Sequence, residues 1–263
     1  MNICQRFRYG MIMFNALDQF VGQSIKEYGE YSPGESRLFE QIVHPGSVVV
    51  EAGANIGSLT IHLAQLAGET GHVYAFEPQR LVFQLLAGNI ALNSLSNVHC
   101  FQYCVGSTGG YVSVPVLDPN QVQNWGGVPL LDEHWDKAEP VEVVTLDSMN
   151  LPKVDFIKID VEGMEVDVLK GAEEIVGKDR PLIYAELNHE QEKREELLAW
   201  MKEHNYKVYP HNPPFFEKDN FFHSPRDIFE MKDADGRRIR MVSTNALCVP
   251  EEKNIRVQGS VLE

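Results

Sequence analysis

The stretch from Val48 to Gly57 constrains the fold of this chain more than any other. Gly46-Ser47-Val48-Val49-Val50 is a short, continuous β-branched run, the pattern of a parallel strand buried on both faces. Glu51 closes it. Gly53 and Gly57 then bracket a turn in which a missing Cβ allows close backbone approach and φ values closed to other residues. From Ile56 onward Leu59, Leu63, Leu66 and Ala67 recur at helical spacing, so a helix N-terminus directs its free N–H groups at the strand end. Strand, glycine turn and helix in this order make a seat for a polar small molecule.

The same alternation continues down the chain. His72–Phe76 reads as a second strand ending in Glu77-Pro78, and residues 79–93 carry Val82, Leu85, Leu86 and Ile90 on one helical face. A third strand begins at Asn97-Val98-His99. A fourth, Val154 to Ile159, runs into Asp160-Val161-Glu162-Gly163, and a fifth, Pro181 to Ala185, ends at Glu186. Lys207-Val208-Tyr209 and Asn245 to Val249 are candidates for a closing antiparallel pair. Repeated βα units require right-handed crossovers, hence an α/β, Rossmann-like sheet with helices on both faces. Ligands of such sheets lie outside the C-terminal strand ends, where Glu51, Glu77, Asp160 and Glu186 converge.

The glycine spacing decides between two nucleotide-type ligands. A dinucleotide fingerprint needs G-x-G-x-x-G, whose glycines seat a pyrophosphate. Here the spacing is G-x-x-x-G behind an acidic residue, and a carboxylate at the strand tip repels a pyrophosphate but accepts hydrogen bonds from an ammonium group. That suits S-adenosylmethionine, which has an amino-acid end and no phosphate. Glu77, one βα unit later, stands where related sites hold ribose hydroxyls, and a carboxylate can accept from both.

Net charge of −15 over 263 residues repels phosphate backbones and anionic bilayers, so neither nucleic acid nor membrane is an expected partner. The basic run Arg237-Arg238-Ile239-Arg240 reads as a solvated hairpin after the Asp235-Gly236 turn. Cys4, Cys100, Cys104 and Cys248 show no disulfide or metal spacing, no His or Cys cluster has ligand spacing, and no metal is expected. Met11-Ile12-Met13-Phe14 is too short for a signal segment, which leads to a cytoplasmic expectation.

Three stretches, Val49 to Gly57, Ala75-Phe76-Glu77-Pro78 and Ile157-Lys158-Ile159-Asp160-Val161-Glu162-Gly163-Met164-Glu165, resemble the FkbM family of S-adenosylmethionine-dependent methyltransferases. The last is the most specific, matching I-K-I-D-x-E-G-x-E throughout. The resemblance implies a class I Rossmann-like fold with seven strands in the order 3-2-1-4-5-7-6, the seventh antiparallel. It implies cofactor contacts at Glu51, Gly53, Asn55, Gly57 and Glu77, and O-methylation of a sugar or other small-molecule hydroxyl. Asp160 and Glu162 are the candidates for acceptor binding or general base, with Glu186 and His189 behind them; capping of the next helix is the competing role for Glu162.

Two other functions compete: a module that binds the cofactor without turnover, and N-methylation. Asn212-Pro213-Pro214-Phe215 spells a tetrapeptide used by amino-group methyltransferases, but it lies beyond the fifth strand and not after the fourth. A Pro-rich turn is the simpler reading. The expected organisation is a helical cap over residues 1–45, a catalytic domain over 46–250 with an insertion at 111–140, and a tail over 251–263; a homodimer is possible. Within the cap, Tyr28 and Tyr31 pack on the sheet or face the ligand. Trp125, Trp135, His134, Phe215, Phe216, Phe221 and Phe222 are expected to form an aromatic lid, since loops longer than about 12–15 residues are usually functional or disordered.

Overall fold

The computed structural model describes every residue except 128–134, 136, 233, 234, 258 and 263. Its centre is a seven-stranded sheet. In chain order the members are β3 (Val48–Ala52), β4 (His72–Phe76), β5 (Val98–Phe101), β9 (Phe156–Ile159), β10 (Leu182–Glu186), β11 (Tyr206–His211) and β14 (Asn245–Pro250). They lie side by side as β11-β14-β10-β9-β3-β4-β5, which is the order 3-2-1-4-5-7-6, and β14 runs antiparallel to both its neighbours. All five residues of β3 are buried, as a β-branched strand flanked on both sides and both faces must be.

Helices α3 (Ser58–Ala67), α4 (Arg80–Leu92), α5 (Glu165–Lys170), α6 (Glu173–Asp179) and α7 (Gln191–Glu203) connect the strands. One core cluster joins Val50, Ile157 and Ile183 to Val168, Leu169, Trp200 and Met201. Another joins Val49, Val73 and Phe156 to Leu59, Leu63 and Phe39. These clusters hold the strand ends, and so the site, on a rigid platform.

Ahead of the sheet, the chain departs from an all-helical cap. It opens with a hairpin of β1 (Asn2–Phe7) and β2 (Gly10–Asn15), followed by α1 (Val21–Tyr28) and α2 (Pro33–Ile42). The run Met11-Ile12-Met13-Phe14 is therefore a strand whose Ile12 and Phe14 are buried. Its outer edge is closed by α4: Met13 N donates to Asn89 Oδ1 (2.6 Å), and Asn89 Nδ2 donates back to Met13 O (2.9 Å). Asn93 does the same for Met11. Side-chain amides thus satisfy an edge that would otherwise pair with another chain.

Between β5 and β9 lie β6 (Cys104–Val105), β7 (Gly110–Pro115) and β8 (Ala138–Val144), a small sheet in the order β6-β8-β7. Val112, Val114 and Val116 alternate in the sequence as a strand does; the first two lie in β7 and Val116 follows its end. The hairpin read at Asp235-Gly236 is present as β12 (Met231–Lys232) and β13 (Arg238–Ile239), with Gly236 at φ 77°. The tail returns to the sheet, where Leu262 N donates to Val208 O (2.8 Å). Among the described residues, no helix is long and apolar enough to cross a membrane.

Candidate active site

A cavity of about 530 Å³ opens over the C-terminal strand ends. Of the expected cofactor residues it is lined by Glu51, Gly53, Asn55 and Glu77, and of the expected catalytic residues by Asp160 and Glu162, together with Glu186 and His189. Gly57 is absent from the lining. It is the N-cap of α3 at φ 87°, and a Cβ there would stand 2.8 Å from Leu86 Cδ1, so its role is packing of the turn.

Gly53 too is required by the protein itself. At φ 82°, a Cβ on it would lie 1.8 Å from the carbonyl oxygen of Asp160 on the neighbouring strand end. Gly53→Ala must move that strand end or leave the left-handed region, so it should cost at least ~2 kcal/mol. Chemical denaturation reads this directly; a loss below about 0.5 kcal/mol would show that the turn relaxes freely.

Asn55, at φ 51°, uses its Oδ1 to accept from Ile56 N (2.7 Å), while its own N–H donates to Glu77 Oε2 (3.0 Å). Gln79 N donates to Glu77 Oε1 (2.9 Å). Each Glu77 oxygen therefore keeps acceptor capacity toward the cavity. Burial pushes Glu77 up to about 7, against the pull of those two backbone donors. Next to it, Gln79 is 6% exposed and its Nε2 has no partner, a buried donor on the cavity wall.

Lys158 was missed as a site residue, although it stands inside the quoted motif. It pairs across the sheet with Glu51, and its side chain is buried. Its Nζ lies 3.3 Å from Asp160 Oδ2, 3.4 Å from Gly53 O and 3.7 Å from Glu51 Oε1. Burial alone would lower its pKa, but Asp160, Glu51 and Glu35 outweigh that and raise it. Glu51, 1% exposed, also accepts from Thr60 Oγ1 (2.6 Å), so part of its acceptor capacity is already used by the protein.

On the other side of Asp160, side-chain oxygens of Asp160, Glu162 and Glu186 lie within 4.8 Å of one another. Each is a possible cation ligand, a cluster that spacing of His and Cys could not reveal. Burial, then Asp160, then Glu165 push Glu162 up to about 7. Glu186 is raised further, by burial and by the same acidic neighbours, and its Oε2 is buried without a partner. Glu162 adopts φ 53° and does not cap the following helix. Glu165, the first residue of that helix, instead ties down the turn before it by accepting from Gly163 N (2.9 Å).

The lid differs from expectation. Trp125 is 2% exposed and packs in the core with Phe14, Val21, Ile56 and Leu117. Asp18 holds it there by accepting from Trp125 N (3.3 Å). The insertion's contributions to the cavity among the described residues are Asn124, Gly126 and Gly127; Trp135 does not line it, and Pro129 and His134 lie outside the described residues. Phe216 is buried beside Tyr28 and Phe229, and Phe221 and Phe222 pack on Gly29; only Phe215 reaches the cavity. Tyr31 lines it and Tyr28 does not. Asn212, Pro213 and Pro214 are likewise outside the lining, with Pro213 against Gly34.

A seven-stranded sheet of this order with acids at four adjoining strand ends defines a Rossmann-like methyltransferase fold. The description Methyltransferase FkbM domain matches residues 51–208. The chain belongs to that family, whose methyl donor is S-adenosylmethionine. It is 28% identical over 158 residues to Methyltransferase sdnD of Sordaria araneosa, covering 48% of this chain and 60% of that protein. It is 27% identical over 150 residues to Methyltransferase 1 of Beauveria bassiana (strain ARSEF 2860), covering 49% and 59%. The chain thus spans about 60% of the length of the curated relatives it matches. The crystal structure of Methyltransferase FkbM from Methylobacillus flagellatus KT shares the fold, with a TM-score of 0.50 at 16% identity, over 81% of this chain and 50% of that one.

The cavity fits this cofactor. Among the described residues Glu35, Glu51, Glu77, Asp160, Glu162 and Glu186 line it with Lys158 as the cation, so negative charge accumulates there as pH rises through about 7, and a sulfonium and an ammonium would offset it. The unpartnered amide of Gln79 suits a polar heteroatom. Helix α3 starts without a side-chain cap, leaving N–H groups free at the glycine turn.

Proposed function

We propose that this protein is an S-adenosylmethionine-dependent O-methyltransferase acting on a small-molecule or saccharide hydroxyl. The observation that carries this is the place of Glu162 in the cavity, its carboxylate within 4.8 Å of those of Asp160 and Glu186, where burial first and then Asp160 raise it to about 7. A hydroxyl must lose its proton as it is methylated, and a base poised near the working pH contributes roughly 10²–10⁴-fold. A neutral amine already carries a free lone pair and can shed its proton after the transfer, so it depends less on a base at the reacting atom. Asn212, which N-methylation through the tetrapeptide would require, stands away from the cavity lining.

When bound, S-adenosylmethionine supplies a methyl group on an already activated sulfonium. Glu77 would hold the ribose hydroxyls with the lone pairs that Asn55 and Gln79 leave free, with the Gln79 amide beside it as a donor. Glu51, Asp160 and Lys158 form the charged floor, while Glu162 takes the acceptor proton, with Glu186 and His189 adjoining. Placing acceptor and donor in line is the remaining contribution.

Two measurements test this reading. Glu77→Ala should weaken S-adenosylmethionine binding roughly 10- to 150-fold, the loss of hydrogen bonds to a charged group worth about 1.5–3 kcal/mol. Unchanged affinity by calorimetry in a folded variant would remove Glu77 from the site. Transfer of a labelled methyl group to a panel of alcohols, phenols and amines then separates O- from N-methylation, and a protein that binds the cofactor but labels none of them supports a binding module.

A further inference from the structure

The cavity is longer than the cofactor end needs. Glu77 follows β4, whereas Asn245, which also lines the cavity, opens β14. Between these strands lie β3, β9 and β10. Four strand spacings of about 4.8 Å put the two ends roughly 19 Å apart. Glu77, Gln79 and Asn55 mark one end, and the far end has a different chemistry.

That far end is walled by Phe20, Phe215, Met231, Met241 and Val242. They come from the start of α1, the loop after β11 and the segment around β12 and β13. Phe215 is braced by Phe229 (ring centroids 5.4 Å apart) and Phe20 (6.4 Å), so its position is set by packing. Met231 and Val242 are exposed by 48% and 40%, apolar surface left open beside a cavity. Contiguous apolar surface of this kind on a folded chain marks a binding site more often than an accident, and methionine adapts its shape to varied ligands. Below this wall stand Glu35, Asp160, Glu162 and Glu186, with Lys158 already engaged by Asp160 and Glu51. Within the lining, no other Lys or Arg faces the cavity among the described residues.

We propose, resting on the methyl-transfer reading above, that this outer half of the cavity is an acceptor subsite selecting an uncharged molecule with an apolar body. Acceptors carrying phosphate, sulfate or carboxylate are excluded. The apolar wall removes the acceptor's body from water at about 25 cal/mol per Å². The carboxylates below meet a hydroxyl as hydrogen-bond acceptors and, once ionised at pH 8, where the probes are compared, meet an anion as like charges in a poorly screened site. Nucleotide-activated and phosphorylated sugars thus fall outside its range, whereas a hydroxyl on a neutral apolar scaffold falls within it.

A matched pair of fluorescent probes tests this: neutral N-phenyl-1-naphthylamine and its sulfonated counterpart 8-anilinonaphthalene-1-sulfonate, titrated with S-adenosylhomocysteine present in excess. The neutral probe is expected to bind at least ~10-fold more tightly. Phe215→Ser and Met241→Ser should each weaken it at least ~5-fold, with S-adenosylhomocysteine affinity unchanged by calorimetry. The double variant Glu162→Gln, Glu186→Gln should narrow the gap between the probes. Equal or tighter binding of the sulfonate, or a neutral probe indifferent to both Ser variants when they are folded, overturns the proposal. If S-adenosylhomocysteine fails to bind while the neutral probe is selected, the methyl-transfer reading falls and the apolar subsite stands.

Discussion

Lys158→Met is expected to cost on the order of 3–5 kcal/mol of stability at pH 8, the range for removing one partner from a buried ion pair. Lys158 is 2% exposed, and its ammonium stands between Glu51, itself 1% exposed, and the more open Asp160. Methionine is unbranched like lysine and one heavy atom shorter, so it removes the charge with little change in packing, while Glu51 keeps Thr60 as its side-chain donor. The sign with pH follows from linkage. The folded pKa of Lys158 is raised, so its contribution is complete below the unfolded value of 10.5 and is lost only as pH rises through the folded value. Glu51 also has a raised pKa, from burial first and then against the pull of Lys158. In the variant it escapes part of the penalty by taking a proton as pH falls. The deficit at pH 5.5 should therefore be smaller than at pH 8. Urea denaturation at both values measures it, and a deficit under about 1 kcal/mol at each would mean that Lys158 is no charge clamp.

This lysine also marks the limit of what the sequence discloses. Val48-Val49-Val50 and the apolar helix faces specify a parallel sheet because periodicity is a local property, whereas the strand order comes only as what the family resemblance implies. The convergence of Glu51, Glu77, Asp160 and Glu186 was legible for the same reason: each closes a strand, and parallel strands end on one side. Lys158 reads as an exception inside an apolar run until β3 places Glu51 opposite it. The N-terminal hairpin escaped notice because Met11 to Phe14 is a continuous apolar run with no Asn-Gly turn signal, and its edge is satisfied by Asn89 and Asn93 some eighty residues away. Trp125 looked like a lid residue because a tryptophan in a long loop has no local mark of burial. What buries it is packing against Phe14, Val21 and Ile56, all distant in sequence, with its backbone N–H bonded to Asp18.

The acids of the cavity are the remaining consequence of that convergence. Glu35, Glu77 and Glu162 each have a folded pKa of about 7 against an ordinary 4.5, with burial the first cause in every case. Between those values the folded chain holds more protons than the unfolded one, so stability is fully present below 4.5 and is lost as pH rises through about 7. The cofactor-free protein should accordingly melt at lower temperature at pH 8 than at pH 5.5. S-adenosylmethionine, a cation, should restore more of that loss than neutral-sulfur S-adenosylhomocysteine.

Glu162→Gln isolates one of these groups and tests its chemistry. A general base acts when deprotonated, so the wild-type turnover of any hydroxyl acceptor found by the labelling panel should rise with pH through about 7. The glutamine keeps the shape and cannot take the proton, so turnover should drop by roughly 10²–10⁴-fold, and the residual rate should lose that rise. Cofactor affinity should change far less than turnover, because the proposed cofactor residues Glu77 and Gln79 follow β4, two strands away from β9, which leads to Glu162. Stability offers a second readout without any acceptor: removing one proton-binding group should flatten the melting-temperature decline between pH 5.5 and 8. A variant that turns over at the wild-type rate with the same rise near pH 7 would assign the proton to another group, with Glu186 and His189 the adjoining candidates.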